Sequence, residues 1–130
     1  MKQLLLSLRG EGLAGMADAA SLTWTDLERQ IRAAALGTPQ GHEVLAALDL
    51  GDEQRLKARR DNAVHSYWAV DGQPGIRANR FPRREGGRII VGNATDLFAA
   101  ANLLFVQAAR LLALTDMTGW PRMYSVPPPS

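Results

Sequence analysis

The chain of 130 residues contains no cysteine. That excludes a disulfide framework, a cysteine zinc site and a thiol nucleophile, and it suits a reducing, cytoplasmic setting. Lysine is nearly absent too: two lysines stand against thirteen arginines. Net charge is only +2, so no strong global field gathers polyanions. Long apolar runs are lacking. The N-terminal MKQLLLSLRGEG has an apolar run too short for a signal peptide, interrupted by Arg9 and Glu11. No segment of the roughly 20 consecutive apolar residues needed to cross a bilayer is evident, so a soluble protein with no membrane partner is expected.

Familiar catalytic patterns are also missing or out of context. RGEGLAG at 9–15 satisfies G-x-G-x-x-G. A dinucleotide-binding unit would continue into a helix from Gly15 and end a second strand on an acid near residue 35, where the chain reads AAALGTPQ. GHEVLAAL opens like a zincin helix, but the position four after His42 is Ala46, and one histidine with one glutamate does not hold a catalytic metal. No serine sits in a nucleophile-elbow pattern. No cofactor and no metal are expected.

What is present is a mostly α pattern. Thr25 followed by Glu28 reads as a capping box ahead of DLERQIRAAAL, whose Leu27, Ile31, Ala34 and Ala35 share one face. After the break GTPQG comes the short apolar helix HEVLAALDL, then punctuation at Gly51 and Asp52, then a charged helix, EQRLKARRDNAVH. SYWAV, GIRANRF and GRIIVG, separated by the turn signals DGQP and PRREG, predict a small antiparallel hairpin or meander. ATDLFAAANLLFVQAARLLAL follows, with Thr95 as N-cap. Being apolar nearly all round, it is expected to be the central buried helix. The expected fold is therefore a helical bundle with a small antiparallel β hairpin inserted before the final helix. One domain is expected over 1–122, with a proline-rich tail over 123–130.

The chemistry concentrates in KARRDNAVHSYWAV, residues 57–70. An arginine four to six residues before a histidine means little in a chain with thirteen arginines, and Arg59 satisfies the spacing as Arg60 does. The longer pattern is more selective: a charged helix ending in R-D-x-x-x-H-x-Y-W, then strands, then a long apolar helix. In this it resembles the HEPN superfamily, on Arg60, Asp61 and His65, with HSY matching the H-x-Y form of HEPN toxins paired with minimal nucleotidyltransferases. The resemblance is specific over about 53–70, architectural over 88–114, and weak before residue 50, where the helices are short and broken by glycine. It implies a metal-independent endoribonuclease acting as a toxin or in antiphage defence. It also implies a homodimer whose site spans both copies, an RNA substrate and an antitoxin protein as partner. A non-catalytic helical module of phage or mobile-element origin, binding a protein or nucleic acid, is the alternative.

The residue types fit such chemistry. A histidine can take either proton role in 2′-hydroxyl attack on a phosphate, and the planar fork of arginine suits the charge developing on the phosphate oxygens. His65 is thus the candidate base or acid, Arg60 the phosphate stabiliser with Arg59 as alternate, and Tyr67 a possible support. Five residues along a helix turn through about 140° net, so Arg60 and His65 share a face only if the helix ends or two copies combine. Asp61, four residues before His65, faces it and would orient its ring. The plainer alternative is a solvated helix face capped by His65. Arg77, Arg80, Arg83, Arg84 and Arg88, with Glu85 the only acid among them, read either as an RNA-phosphate surface or as a solvated turn.

Overall fold

The computed structural model describes residues 1–70, 76–80, 87, 89–116 and 118. It is mostly helical, with a small three-stranded antiparallel sheet before the final helix. In chain order the elements are α1 (Lys2–Leu8), a 3₁₀ turn (Leu13–Gly15), α2 (Met16–Ala20), α3 (Trp24–Ala35), α4 (Gly41–Glu53) and α5 (Leu56–His65). They continue with β1 (Tyr67–Val70), β2 (Ile76–Arg80), β3 (Ile89–Asn93) and α6 (Ala94–Ala113). The chain divides into two compact units, one comprising Met1–Val44 with Leu111–Ser130 and the other Leu45–Arg110.

In the first unit α1 packs on α2 and α3. Leu4, Leu5 and Leu6 are all buried, so a single turn of α1 is covered over a wide arc, and QLLLSL is helix rather than strand. Leu27, Ile31 and Ala35 form the buried face of α3, as their spacing predicts. The cap lies two residues earlier than expected. Thr23, not Thr25, is the N-cap: its Oγ1 accepts from the Asp26 N–H at 3.2 Å, and Asp26 Oδ2 accepts from the Thr23 N–H at 3.4 Å. Thr25 lies inside the first turn, and the hydroxyl of Thr23 holds the Asp26 carboxyl below its ordinary range.

In the second unit the break between α4 and α5 is also displaced. Gly51 and Asp52 are helical, and the interruption falls at Gln54–Arg55, where Arg55 takes the left-handed conformation at φ 54°. Gly51 serves close approach instead of punctuation. A Cβ there would stand 3.0 Å from Gln107 Nε2, which reaches in from α6 to donate to the Ala47 carbonyl at 2.8 Å. That buried bond joins α6 to α4, and Arg110 completes the amide by donating to Gln107 Oε1 at 2.9 Å.

β1, β2 and β3 form a meander in sequence order, with Tyr67 opposite Asn79 and Trp68 opposite Ala78. A bulge at Val91 shifts the β2–β3 register after Ala78. The sheet leads directly into α6, whose N-cap is Asn93 and not Thr95. Asn93 Oδ1 accepts from the Asp96 N–H at 3.0 Å, and Asp96 Oδ2 accepts from the Asn93 N–H at 2.9 Å.

The largest departure concerns α6 itself. It is not the central buried helix: Ala100, Gln107 and Leu111 are buried along one stripe, while Phe98 and Phe105 are 75% and 73% exposed. By length and composition the helix would also reach across a bilayer, which the sequence reading did not anticipate, although it carries Asp96, Asn102, Gln107 and Arg110. Hydropathy reports what a helix can bury, and among the described residues only one side of α6 is covered.

The corrected cap separates two threonines. Thr23→Ala should lower stability by about 1 kcal/mol, the usual cost of an N-cap side chain, whereas Thr25→Ala should stay within about 0.5 kcal/mol of wild type. Chemical denaturation of both variants measures the difference, and equal losses would place the cap elsewhere.

Candidate functional site

α5 has almost no apolar face, so its position depends on bonds at its ends. At the start, Arg59 Nε donates back to the Gln54 carbonyl at 2.8 Å, bracing the corner at Arg55. At the end, the Trp68 indole N–H donates to the Ala63 carbonyl at 2.9 Å, satisfying one of the carbonyls a helix terminus leaves open. Ser66 leaves the helix in extended conformation at φ −95° and ψ 151°, so α5 stops at His65 and β1 begins at Tyr67. β2 is tied to the same helix by Arg80, whose guanidinium donates to Asn62 Oδ1 at 3.1 Å.

His65 is thus the exposed last residue of α5. Among the described residues its imidazole makes no hydrogen bond or ion pair. Asp61 is engaged elsewhere: Lys57 Nζ donates to its Oδ2 at 2.7 Å and Arg60 donates to its Oδ1 at 2.9 Å. The carboxylate expected to orient His65 therefore lies between two cations. The Lys57 hydrogen bond, and secondarily that of Arg60, hold the Asp61 carboxyl below its ordinary range against the opposing effect of burial. Arg60 is 42% exposed, so its charge is accessible although already paired. Arg59, the alternate, is committed to the helix corner.

Two hollows flank α5. One, of about 240 Å³, is lined by Arg55, Arg59, Asn62, Trp68, Ala78 and Asp96 among others. The other is a shallower groove of about 400 Å³, where Lys57, Asp61 and Arg80 meet Asp52, Arg55 and Asn62. Neither lining includes Arg60 or His65. A single copy therefore does not bring these two residues together in either hollow. Among the described residues no group of three or more histidine, aspartate or glutamate side chains stands close enough to hold a metal ion.

Of the arginine cluster, Arg77 and Arg80 are described, whereas Arg83, Arg84 and Arg88 lie outside the described residues. Alternation along β2 sends Arg77 and Arg80 to opposite faces of the sheet. Arg80 faces α5 with Ala78, and Arg77 shares the other face with Asn79. These two arginines do not form one surface. The aromatics divide the same way: Trp68 faces α5, while Tyr67 is 73% exposed on the opposite face. Two buried polar atoms, Ser66 Oγ and Asn79 Oδ1, find no partner among the described residues, and Ser66 directly follows His65.

Asn62 and Arg55 are the residues that sequence reasoning passed over, and Asn62 carries no signal in the sequence, because only the fold brings Arg80 to it.

Because the folded value of Asp61 is depressed, the stabilisation it contributes is present above its ordinary pKa of 3.8 and is lost as pH falls through the lower folded value. Asp61→Asn should cost no more than about 1 kcal/mol at neutral pH, since the pair is partly exposed. The gap to wild type should close on acidification below about pH 4. Denaturation at several pH values reads this, and a gap independent of pH would remove the ion-pair account.

No family model matches this sequence, and no curated protein or solved structure matches it.

Proposed function

We propose that this chain is a metal-independent endoribonuclease of HEPN type, acting in the cytoplasm as a toxin or in antiphage defence, with its site completed by two copies of the chain. The observation that carries the reading is the end of α5. The helix stops at the histidine of the R-D-x-x-x-H-x-Y pattern, leaving an exposed imidazole without a partner among the described residues, with Ser66 alone between it and the strand. Arg60, five residues back, is accessible and paired only with Asp61 among the described residues.

In the proposed reaction an imidazole of His65 takes the proton of an RNA 2′-hydroxyl. The freed oxygen bonds to the adjacent phosphorus, the P–O5′ bond breaks, and the departing 5′-oxygen takes a proton from a second acid. That acid is the His65 of the second copy. Arg60 exchanges Asp61 for the phosphate oxygens as charge develops on them. The products carry 2′,3′-cyclic phosphate and 5′-hydroxyl ends. Asp61 acts as a placeholder that keeps Arg60 ordered before RNA arrives.

A second reading has its own support. The hollows beside α5 are lined by Arg55, Arg59, Lys57 and Arg80 together with Asp52, Asp61 and Asp96, and not by His65, which suits a module that binds a polar partner without cleaving it.

Cleavage of varied RNAs in EDTA distinguishes the two. Wild type is expected to leave cyclic phosphate ends, His65→Ala to lose cleavage, and Arg60→Ala to slow it by about 10²–10³-fold. Equal cleavage by wild type and His65→Ala, or RNA retained by wild type without any cleavage, would overturn the enzyme reading.

A further inference from the structure

The exposed side of α6 has an ordered composition. Phe98, Phe105 and Leu112 recur every seven residues and are 75%, 73% and 52% exposed. Ala101 and Ala108, also exposed, fall between them at the heptad positions that complete one seam. The seam is uncharged. Asp96 and Arg110, the charged residues of α6, project from the opposite side of the helix, along with the buried Ala100 and Gln107.

We infer that this face of α6 is a self-association surface that pairs with α6 of a second copy of the chain in antiparallel register. The large–small alternation selects both occupant and direction. Parallel pairing would set phenylalanine against phenylalanine and alanine against alanine, alternating crowding with voids. Antiparallel pairing about a two-fold axis near Leu103 sets Phe98 opposite the second copy's Ala108, and Phe105 opposite its Ala101. It also brings Leu112 opposite Ala94, so the whole of α6 overlaps. Each large side chain then meets a small one, which is the self-complementarity an isologous interface requires. Antiparallel helices in addition set each N-terminus beside its partner's C-terminus, which favours the paired macrodipoles. The seam offers about 600 Å² of apolar surface per copy, roughly 1,200 Å² for the pair, at the lower end of specific interfaces.

A lipid surface suits this face less well. Spanning would carry Asp96, Asn102, Gln107 and Arg110 into hydrocarbon, and lying at a bilayer surface favours basic residues along the flanks, where α6 has none. The RNA-cleavage reading also needs two copies of the chain, but the two fail separately: a wild-type dimer held by α6 that leaves RNA uncut would overturn that reading and leave this one standing.

The test uses the full chain. Sedimentation velocity and light scattering should report a dimer for wild type. Ala101→Glu, which places a charge in the seam without removing any buried side chain, should give a monomer with an unchanged helical circular dichroism spectrum. Because the chain has no cysteine, register is readable directly. Mixing Ala101→Cys protein with Phe105→Cys protein under oxidation should favour the mixed disulfide over either same-residue disulfide. A monomeric wild type, a dimer insensitive to Ala101→Glu, preferential same-residue disulfides, or a monomer that partitions onto phosphatidylcholine–phosphatidylglycerol vesicles would each overturn the proposal.

Discussion

The bond from the Trp68 indole to the Ala63 carbonyl is the constraint on which the site depends. A helix terminus leaves open carbonyls, and α5 has neither a glycine cap nor an apolar face to hold its last turn. The indole supplies a donor from the first strand, so the end of the helix and the start of the sheet become one unit of structure. Arg80 bonding to Asn62 repeats the connection from β2, and Arg59 bonding to the Gln54 carbonyl anchors the other end. Through these bonds a charged ten-residue helix that would be marginal alone is held against a sheet. His65 is then presented where the chain changes from helix to strand.

Charge within α5 has a similar logic. Lys57, Arg60 and Asp61 form a small cluster in which one carboxylate serves two cations. Its cost to remove is small, because the groups are partly exposed, but it fixes where Arg60 rests. In the proposed reaction phosphate replaces a carboxylate as the acceptor for the same guanidinium, so most of the ordering of Arg60 has occurred before RNA binds. The same ion pair is also what an ordinary solvated helix would show. Electrostatics alone therefore favours neither reading, and the proposed one rests on the exposed His65, whose imidazole has no partner among the described residues.

Much of the fold was legible in residue patterns. Leu27, Ile31 and Ala35 fell on the predicted face of α3, the charged helix ended at His65, and turn signals separated three strands. The misses have physical causes. Thr23 and Thr25 both stand three residues before an acid, and the pattern alone cannot rank them. Asp61 has His65 four residues after it and Lys57 four residues before it, and the longer lysine side chain takes the bond. Gly51 reads as a helix breaker until Gln107 arrives from 56 residues away to need its missing side chain. The exposure of α6 could not be read at all, because apolar composition states that a surface is to be covered without naming what covers it. Arg77 and Arg80 looked like one basic patch in sequence, and strand alternation separates them.

The most direct test of the central claim follows the His65 imidazole itself. In a chain with two histidines, ring resonances are readily assigned by comparison with a His65→Ala sample. Titration with a single-stranded oligonucleotide whose cleavage-site nucleotide lacks the 2′-hydroxyl keeps substrate bound and uncut. The account predicts saturable shifts of the His65 ring together with the Arg60 guanidinium, with the His42 ring unmoved. Shifts confined to Arg55, Arg59 and Arg80, with His65 unmoved at saturation, would contradict it.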